Sequence, residues 1–179
     1  ERINNINFKI VIKNPIIFDG EESTQNITDP NLGTLILDHM ETGKDAKTAI
    51  DLVVKGRENI NFRQLTAIAK DGNTSHFTGS KILGTNAVSE KSNCIAAGNL
   101  LANLGVADAM ADGFNSDKNS HLAERLLVGL ESGLKAGGEA GPVHSAALIV
   151  VDQTKFPLVD LRVDWEEEDA IPKLRLLWS

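Results

Sequence analysis

The chain has 179 residues, 41% hydrophobic and 24% charged, a composition that excludes a disordered chain and predicts one globular domain over residues 1–179. A net charge of −7 with only 4% aromatic residues disfavours nucleic-acid binding, because the field of the protein repels phosphate backbones. One cysteine excludes a disulfide framework within the chain, and the lack of a membrane-length apolar run predicts a cytoplasmic protein with no membrane partner.

The N-terminal third predicts a strand, a turn-rich segment and two helices. The β-rich run FKIVIKNP ends in an Asn-Pro turn, and in the turn-rich segment that follows only Ile16 to Phe18 could extend a strand. Helical spacing then continues to Gly43, and Asp45 can cap the second helix. The apolar positions of the two helices are Leu32, Leu35, Ile36, His39 and Met40, followed by Ala46, Ala49, Ile50, Val53 and Val54.

The middle of the chain predicts a hairpin and a further strand. The runs FRQLTAIA and SHFTG flank KDGN, in which Asp71-Gly72 is a hairpin turn. The run NCIAAG predicts a strand, and a buried, inert thiol is the simpler interpretation of its Cys94. The loop GNLLANLG connects that strand to the next helix.

The C-terminal part predicts two helices, two strands and a short closing helix in DAIPKLRLLW. The second of the two helices is rich in leucine, with Ser120 as its predicted cap. The run SAALIVV is apolar on both faces, which predicts a strand covered on both sides. In contrast, LVDLRVD alternates and places Asp160, Arg162 and Asp164 on one face.

This order of elements lacks the regular β-α alternation of a doubly wound sheet. The helices come in pairs, and the strands are joined by hairpin-like turns or follow helices. The sequence therefore predicts a layered α+β fold, with two sheets packed together and helices outside.

Two glycine-containing loops are candidate edges of a site. The loop AGGEAGPV lies between a helix C-terminus and a strand, which is the wrong polarity for binding phosphate, but Glu139, His144 and Ser145 would converge there near a strand end. The loop GNLLANLG runs from strand to helix, so Gly98 and Asn99 could present donors to an oxyanion. A plain connecting loop is the commoner role for such a segment.

Other polar patterns do not predict a catalytic centre. The four histidines share no metal-ligand spacing, so we expect neither a metal site nor a cofactor. Asp160, Arg162 and Asp164 could be a carboxylate pair tuned by a cation, although an exposed face with mutually paired charges is the simpler interpretation. No serine lies in a G-x-S-x-G motif.

One combination of motifs extends from Thr24 to the C-terminal region: TQNITDPNLG, FRQL, HFTG, AAGNLLA, AERLLVGLESGLKAGGEAG, HSAALIVV and VDLRVD. Together they resemble domain-of-unknown-function family 1028 (DUF1028) over most of residues 24–177. The resemblance implies the fold of the N-terminal-nucleophile (Ntn) hydrolases, a four-layer αββα sandwich. In hydrolases of that fold, the first residue of the mature chain attacks an amide carbonyl and its own α-amino group is the base.

The chain departs from the family pattern near its N-terminal end. Family members typically open with a Thr before a strand like FKIV, whereas the aligned residue here is Asn7, which is not a nucleophile and has no free amine. Between Pro15 and Thr24 the family usually has a further strand, so the resemblance implies that one N-terminal strand is missing and that a sheet edge is open. In the glycine-rich loop, Glu139 stands for an Asp and His144 for a Gln.

Two functions are expected from this resemblance. One is hydrolysis of a small amide or peptide-like bond, with Gln64 and Asn99 as polarising donors and with Glu139 and Ser145 lining the pocket. The other is a non-catalytic descendant that binds such a ligand or assembles with itself into a homo-oligomer. Because loss of a nucleophile costs several orders of magnitude in rate, the sequence leaves both open.

Overall fold

The computed structural model describes residues 8–12, 20–26, 29–151 and 156–179. Over these residues the chain forms strands and α-helices in a mixed order. They are β1 (Phe8–Ile12), β2 (Gly20–Asn26), α1 (Asn31–Glu41), α2 (Ala46–Val54), β3 (Arg63–Ala69), β4 (Thr74–Thr78), β5 (Ala87–Lys91), β6 (Cys94–Gly98), α3 (Val106–Asn115), α4 (Leu122–Lys135), β7 (Ala146–Val150), β8 (Val159–Val163) and α5 (Ala170–Trp178).

The described strands form small antiparallel sheets. Their orders are β1-β6-β5, β2-β3-β4 and β7-β8, so β6 and β3 are the central strands of the two larger sheets. Antiparallel pairing throughout the described ladders agrees with the predicted α+β class and with the absence of a doubly wound sheet. No helix in the described part of the chain combines the length and the apolar character needed to cross a membrane.

The helices and the hairpin of the N-terminal half form where the sequence predicts them. The side chain of Asp45 caps α2 by accepting a hydrogen bond from the Thr48 N–H at 2.6 Å. Gly43 and Gly137 follow α1 and α4 with φ of +86° and +126°, and Gly72 has φ of +88° in the hairpin turn. Glycine adopts these conformations at low cost, which is why the elements end there.

Two apolar clusters hold helices against sheets. One joins α1 and α2 to β3, and its buried members include Leu32, Ile36, Ile50, Leu65 and Ala67. The larger one joins α3, α4 and α5 to β6, β7 and β8, with buried members that include Cys94, Ala96, Met110, Leu127, Leu148 and Leu174. Within it, Cys94 is fully buried, as predicted, and burial raises the pKa of its thiol to about 12.

A third, smaller cluster contains residues from both of the larger sheets. Ile68 of β3 packs with Ile95 of β6, and the half-buried Val88 of β5 packs against them. Successive residues of a strand point to opposite faces, so Ile68 and Ile95 lie on the faces of β3 and β6 that are turned away from the helices.

Strand formation in the N-terminal half differs from the prediction at two places. The turn-rich interpretation is wrong for Gly20–Asn26, which pairs along its whole length with β3. That strand lies in the segment expected to lack one, while Ile16 to Phe18 lie outside the described residues. The polar run Ala87–Lys91 was not predicted as a strand but pairs with β6. In both cases a neighbouring strand outweighs weak local propensity.

Two C-terminal predictions are wrong. Strand β7 is not covered on both faces, because the helices cover only one side and Ile149 is 58% exposed. The cap of α4 is His121, whose Nδ1 accepts a hydrogen bond from the Ala123 N–H at 3.1 Å. The Ser120 hydroxyl donates instead to Asp117, at 2.7 Å.

Candidate functional site

Polar side chains are buried on the face of β3 that lies away from the helices. Gln64 and Thr66 alternate with Leu65 and Ala67, which pack against α1 and α2, so the two polar residues share a face with Ile68. Their exposed fractions are 1% for Gln64 and 2% for Thr66. This burial could not be read from FRQL and TAIA alone, because it depends on residues distant in sequence, such as Ile95 and Val88 beside Ile68.

Two of these buried polar atoms lack a hydrogen-bond partner among the described residues. They are Gln64 Oε1 and Thr66 Oγ1, whereas Gln64 Nε2 lies 3.5 Å from Thr78 Oγ1 on β4. A buried acceptor or hydroxyl without a partner costs free energy that a bound polar molecule would recover. The pair therefore combines a hydrogen-bond acceptor and a hydroxyl group on one buried face of β3.

Asn99 lies at the end of β6, next to the start of β1. It is fully buried and directly follows Gly98, the last residue of the strand. The backbone of Phe8, the first residue of β1, is opposite Gly98 in the antiparallel ladder. The buried Asn99 side chain therefore belongs to the same end of the β1-β6-β5 sheet as the first residue of β1.

The glycine-rich loop is joined to the loop that carries Asn99. Leu101 and Glu139 form an isolated antiparallel bridge, made by two backbone hydrogen bonds of 2.8 and 3.0 Å between residues 100–102 and residues 138–140. Glu139 is half-buried at this junction. The structure therefore brings two of the predicted site residues, Asn99 and Glu139, onto neighbouring segments.

The other predicted edge residues lie where β7 begins. Ser145 is half-buried directly before that strand, and His144 stacks on Trp165 with ring centroids 4.3 Å apart. The His144 Nδ1 atom lies 2.7 Å from the carbonyl oxygen of Glu166, which ties the ring to the acidic turn. These contacts give His144 a structural role, which is to connect the start of β7 with the acidic turn that follows β8.

The acidic and basic side chains of β8 are exposed. Arg162 Nε binds Asp164 Oδ1, and these side chains are 64% and 76% exposed. This geometry supports the interpretation of paired surface charges. Among the described residues, no group of three or more His, Cys, Asp or Glu side chains could hold a metal ion.

A polar contact that the sequence analysis missed joins the two larger sheets. His76 Nδ1 of β4 lies 2.5 Å from Glu90 Oε1 of β5, and Thr74 Oγ1 donates to Glu90 Oε2 at 2.6 Å. Burial raises the pKa of Glu90, but the hydrogen bonds from Thr74 and His76 outweigh that effect and lower it. The only signal in the sequence was the alternation of AVSEK, which is too short to predict a strand.

Comparisons with known proteins identify relatives across the region that contains this site. The model of the family of unknown function DUF1028 matches residues 19–174, a range that begins after β1. A protein from Silicibacter pomeroyi of the same family has a crystal structure that is similar with a TM-score of 0.79 and 27% identity, covering 88% of this chain and 70% of that chain. The comparison with curated proteins found no match.

Proposed function

Since this chain belongs to the family of unknown function DUF1028, we propose a function for it from the geometry of its buried polar residues. It binds a small amide or peptide-like molecule between its two larger sheets. The observation that carries this proposal is the burial of Gln64 Oε1 and Thr66 Oγ1 without partners among the described residues. A cytoplasmic location stays a prediction.

The proposal includes a four-layer αββα sandwich, like that of the Ntn hydrolases, formed by one domain over residues 1–179. Its support is the distribution of the apolar clusters: α1 and α2 pack on β3, α3 and α4 pack on the other side of the molecule around β6, and Ile68 meets Ile95 between the strands. Two sheets whose inner faces touch, each covered by helices on its outer face, form such a sandwich.

An amide ligand suits the chemistry of these residues. The Gln64 oxygen is an acceptor and the Thr66 hydroxyl can donate or accept, so a molecule that carries both an N–H donor and a carbonyl acceptor can satisfy the two. Ile68 and Ile95 supply an apolar wall beside them. Ligand sites in proteins typically combine such a wall with a few polar groups that set orientation.

Hydrolysis of the bound amide is a second candidate function, favoured by the position of Asn99 beside the start of β1. In Ntn hydrolases the nucleophile is the residue that precedes the first strand, and here β1 begins opposite Gly98, beside Asn99. Asn99 would then hold the oxyanion. The resemblance aligns Asn7 with the nucleophile, and an amide side chain cannot attack a carbonyl, so binding is the function that the residues present support better.

Titration calorimetry with small primary amides and blocked dipeptides tests binding. The unaltered chain is expected to bind at least one class, and Gln64→Met, which keeps the volume but removes the amide, is expected to lose that binding. Asn119→Leu removes an exposed amide from the α3–α4 loop and serves as the matched control. Equal binding by the Gln64→Met protein, or no binding across the panel by the folded chain, contradicts the proposal.

Hydrolysis is tested by mass spectrometry of the same amides after incubation. The unaltered chain is compared with a form that begins with Thr in place of Asn7 at a newly exposed N-terminus. Turnover only in the altered form supports descent from an enzyme that has lost its nucleophile. Turnover by neither form leaves binding as the function and rejects hydrolysis at this site.

A further inference from the structure

We propose that β8 is a dimer interface of this protein. Two copies pair their β8 strands antiparallel, centred on Leu161, and so join two β7-β8 ribbons into one four-stranded sheet. This assembly goes beyond ligand binding and uses a different edge from the N-terminal one that the family resemblance implied.

Among the described residues, no strand lies beside the outer edge of β8. In the described part of the chain β8 pairs only with β7, so the outward backbone N–H and C=O groups of Val159–Val163 have no strand beside them. A two-stranded ribbon is marginally stable alone, and an open edge is a template for a further strand. On the outer face of the ribbon, the exposed fractions of Ile149 and of Leu158, which directly precedes β8, are 58% and 57%.

The charges of β8 are complementary to those of a second copy. In the run VDLRV, pairing centred on Leu161 places Asp160 opposite the partner's Arg162, and Arg162 opposite the partner's Asp160. The same register pairs Val159 with the partner's Val163. Arg162 already binds Asp164 through Nε, but a guanidinium has further N–H donors for a second carboxylate.

This charge pattern also selects the register. A shift that centres the pairing on Asp160 brings that carboxylate against the partner's Asp160, and a shift that centres it on Arg162 brings two guanidinium groups together. Like charges directly opposite each other are unfavourable in a sheet. Charges of a single sign along the edge would repel a second copy. The alternating Asp160 and Arg162 instead favour pairing with a second copy in the register centred on Leu161.

Helix α5, which packs on β8, has an exposed flank on the side away from α4. Arg175 and Trp178 of α5 contact Glu124 of α4, and Leu177 lies about 200° around the helix from Arg175, on the flank away from α4. Leu177 is 53% exposed. Helix α5 packs on both β7 and β8.

The proposed sheet places that flank against a second helix. Because α5 packs on both β7 and β8, we place its axis midway between them. With strands about 4.8 Å apart, pairing through β8 then separates α5 from the α5 helix of the second copy by two strand spacings, about 10 Å. Packed helices lie about 8 to 10 Å apart, so the same dimer that closes the strand edge also covers Leu177.

Light scattering after gel filtration, from micromolar to millimolar protein, tests this interface. The unaltered chain is expected to approach twice its mass of 19.3 kDa as the concentration rises. Asp160→Arg and Arg162→Asp each place like charges at both contacts and are expected to weaken dimerisation at least about tenfold. The double variant Asp160→Arg/Arg162→Asp restores opposite charges in the same register and is expected to dimerise like the unaltered chain.

Two further variants separate the helix contact from a general surface effect. Leu177→Glu is expected to weaken the dimer, whereas Leu52→Glu, at a 43% exposed position of α2, is expected to leave it unchanged. Circular dichroism checks that each variant folds. A chain that stays monomeric throughout the range, a dimer that all the variants retain, or a double variant that is not rescued would overturn the proposal.

Discussion

Arg175 of α5 donates two hydrogen bonds to the carboxylate of Glu131 of α4, over 2.7 and 2.9 Å. A third N–H group of Arg175 binds Glu124 at 2.5 Å, and Glu124 also accepts from Trp178 Nε1 at 2.9 Å. The hydrogen bond to Glu131, followed by that to Glu124, raises the pKa of Arg175, and the hydrogen bond from Arg175 lowers the pKa of Glu124. This charged network fixes the C-terminal helix to α4.

Arg175→Met is expected to lower the free energy of unfolding by about 1 to 2 kcal/mol, because two half-exposed carboxylates lose their partner and are left close together. Urea denaturation measures the change. The control is Lys47→Met, whose partner Asp51 is 62% exposed, and we expect it to lower the free energy of unfolding less than Arg175→Met does, because solvent screens the exposed pair. Equal effects of the two substitutions would contradict a structural role for the Arg175 network.

Glu90 is expected to make the stability of the protein depend on pH. Its pKa is lower in the folded protein than the ordinary value of 4.5, so its contribution is present above 4.5 and is lost as the pH falls through the lower folded value. Glu90→Gln is expected to lower the free energy of unfolding by about 0.5 to 1 kcal/mol at pH 7, a value reduced by solvent screening. The free energy of unfolding of this variant is also expected to fall less steeply as the pH is lowered below 4.5. Chemical denaturation at a series of pH values measures this, with the exposed Glu168→Gln as control. If the Glu90→Gln protein loses stability at acidic pH as steeply as the unaltered chain, Glu90 is not the source of this pH dependence.

Gln64→Met is expected to raise the free energy of unfolding by up to about 1 kcal/mol while removing ligand binding. The substitution keeps the volume of the side chain and eliminates the Gln64 Oε1 atom that has no partner among the described residues. Thermal unfolding without ligand measures the gain. A loss of more than about 1 kcal/mol would show that Gln64 stabilises the fold, contrary to a role kept for binding.

Gly113→Ala is expected to destabilise the protein by about 1 to 2 kcal/mol, although alanine favours helices. A Cβ atom at Gly113 of α3 would lie 2.7 Å from Ser132 Cβ of α4 and 2.9 Å from the carbonyl oxygen of Val128, so the two helices would have to separate. Calorimetric melting measures the loss. Gly141→Ala has open space around its Cβ and is expected to change stability by less than about 0.5 kcal/mol. A Gly113→Ala protein as stable as the control would mean that the helices adjust without strain.

The candidate site was predictable in part. Asn99 and Glu139 come from loops that the polarity and glycine content of the sequence identify, and the structure places these loops side by side. The burial of Gln64 and Thr66 was not predictable, because it depends on tertiary contacts with residues distant in sequence. His144 looked like a site residue in the sequence, but its stacking on Trp165 accounts for it structurally.

The sequence by itself determined the elements whose stabilising contacts lie within a few residues. The helical spacing of α1 and α2, the Asp45 cap and the Asp71-Gly72 turn are of this kind, because helices and turns are built from neighbours along the chain. Only the tertiary structure decided that Gly20–Asn26 and Ala87–Lys91 are strands and that Ile149 faces solvent. A strand forms its hydrogen bonds with residues distant in sequence, and the cover on its faces comes from other elements, so neither is encoded in the local pattern.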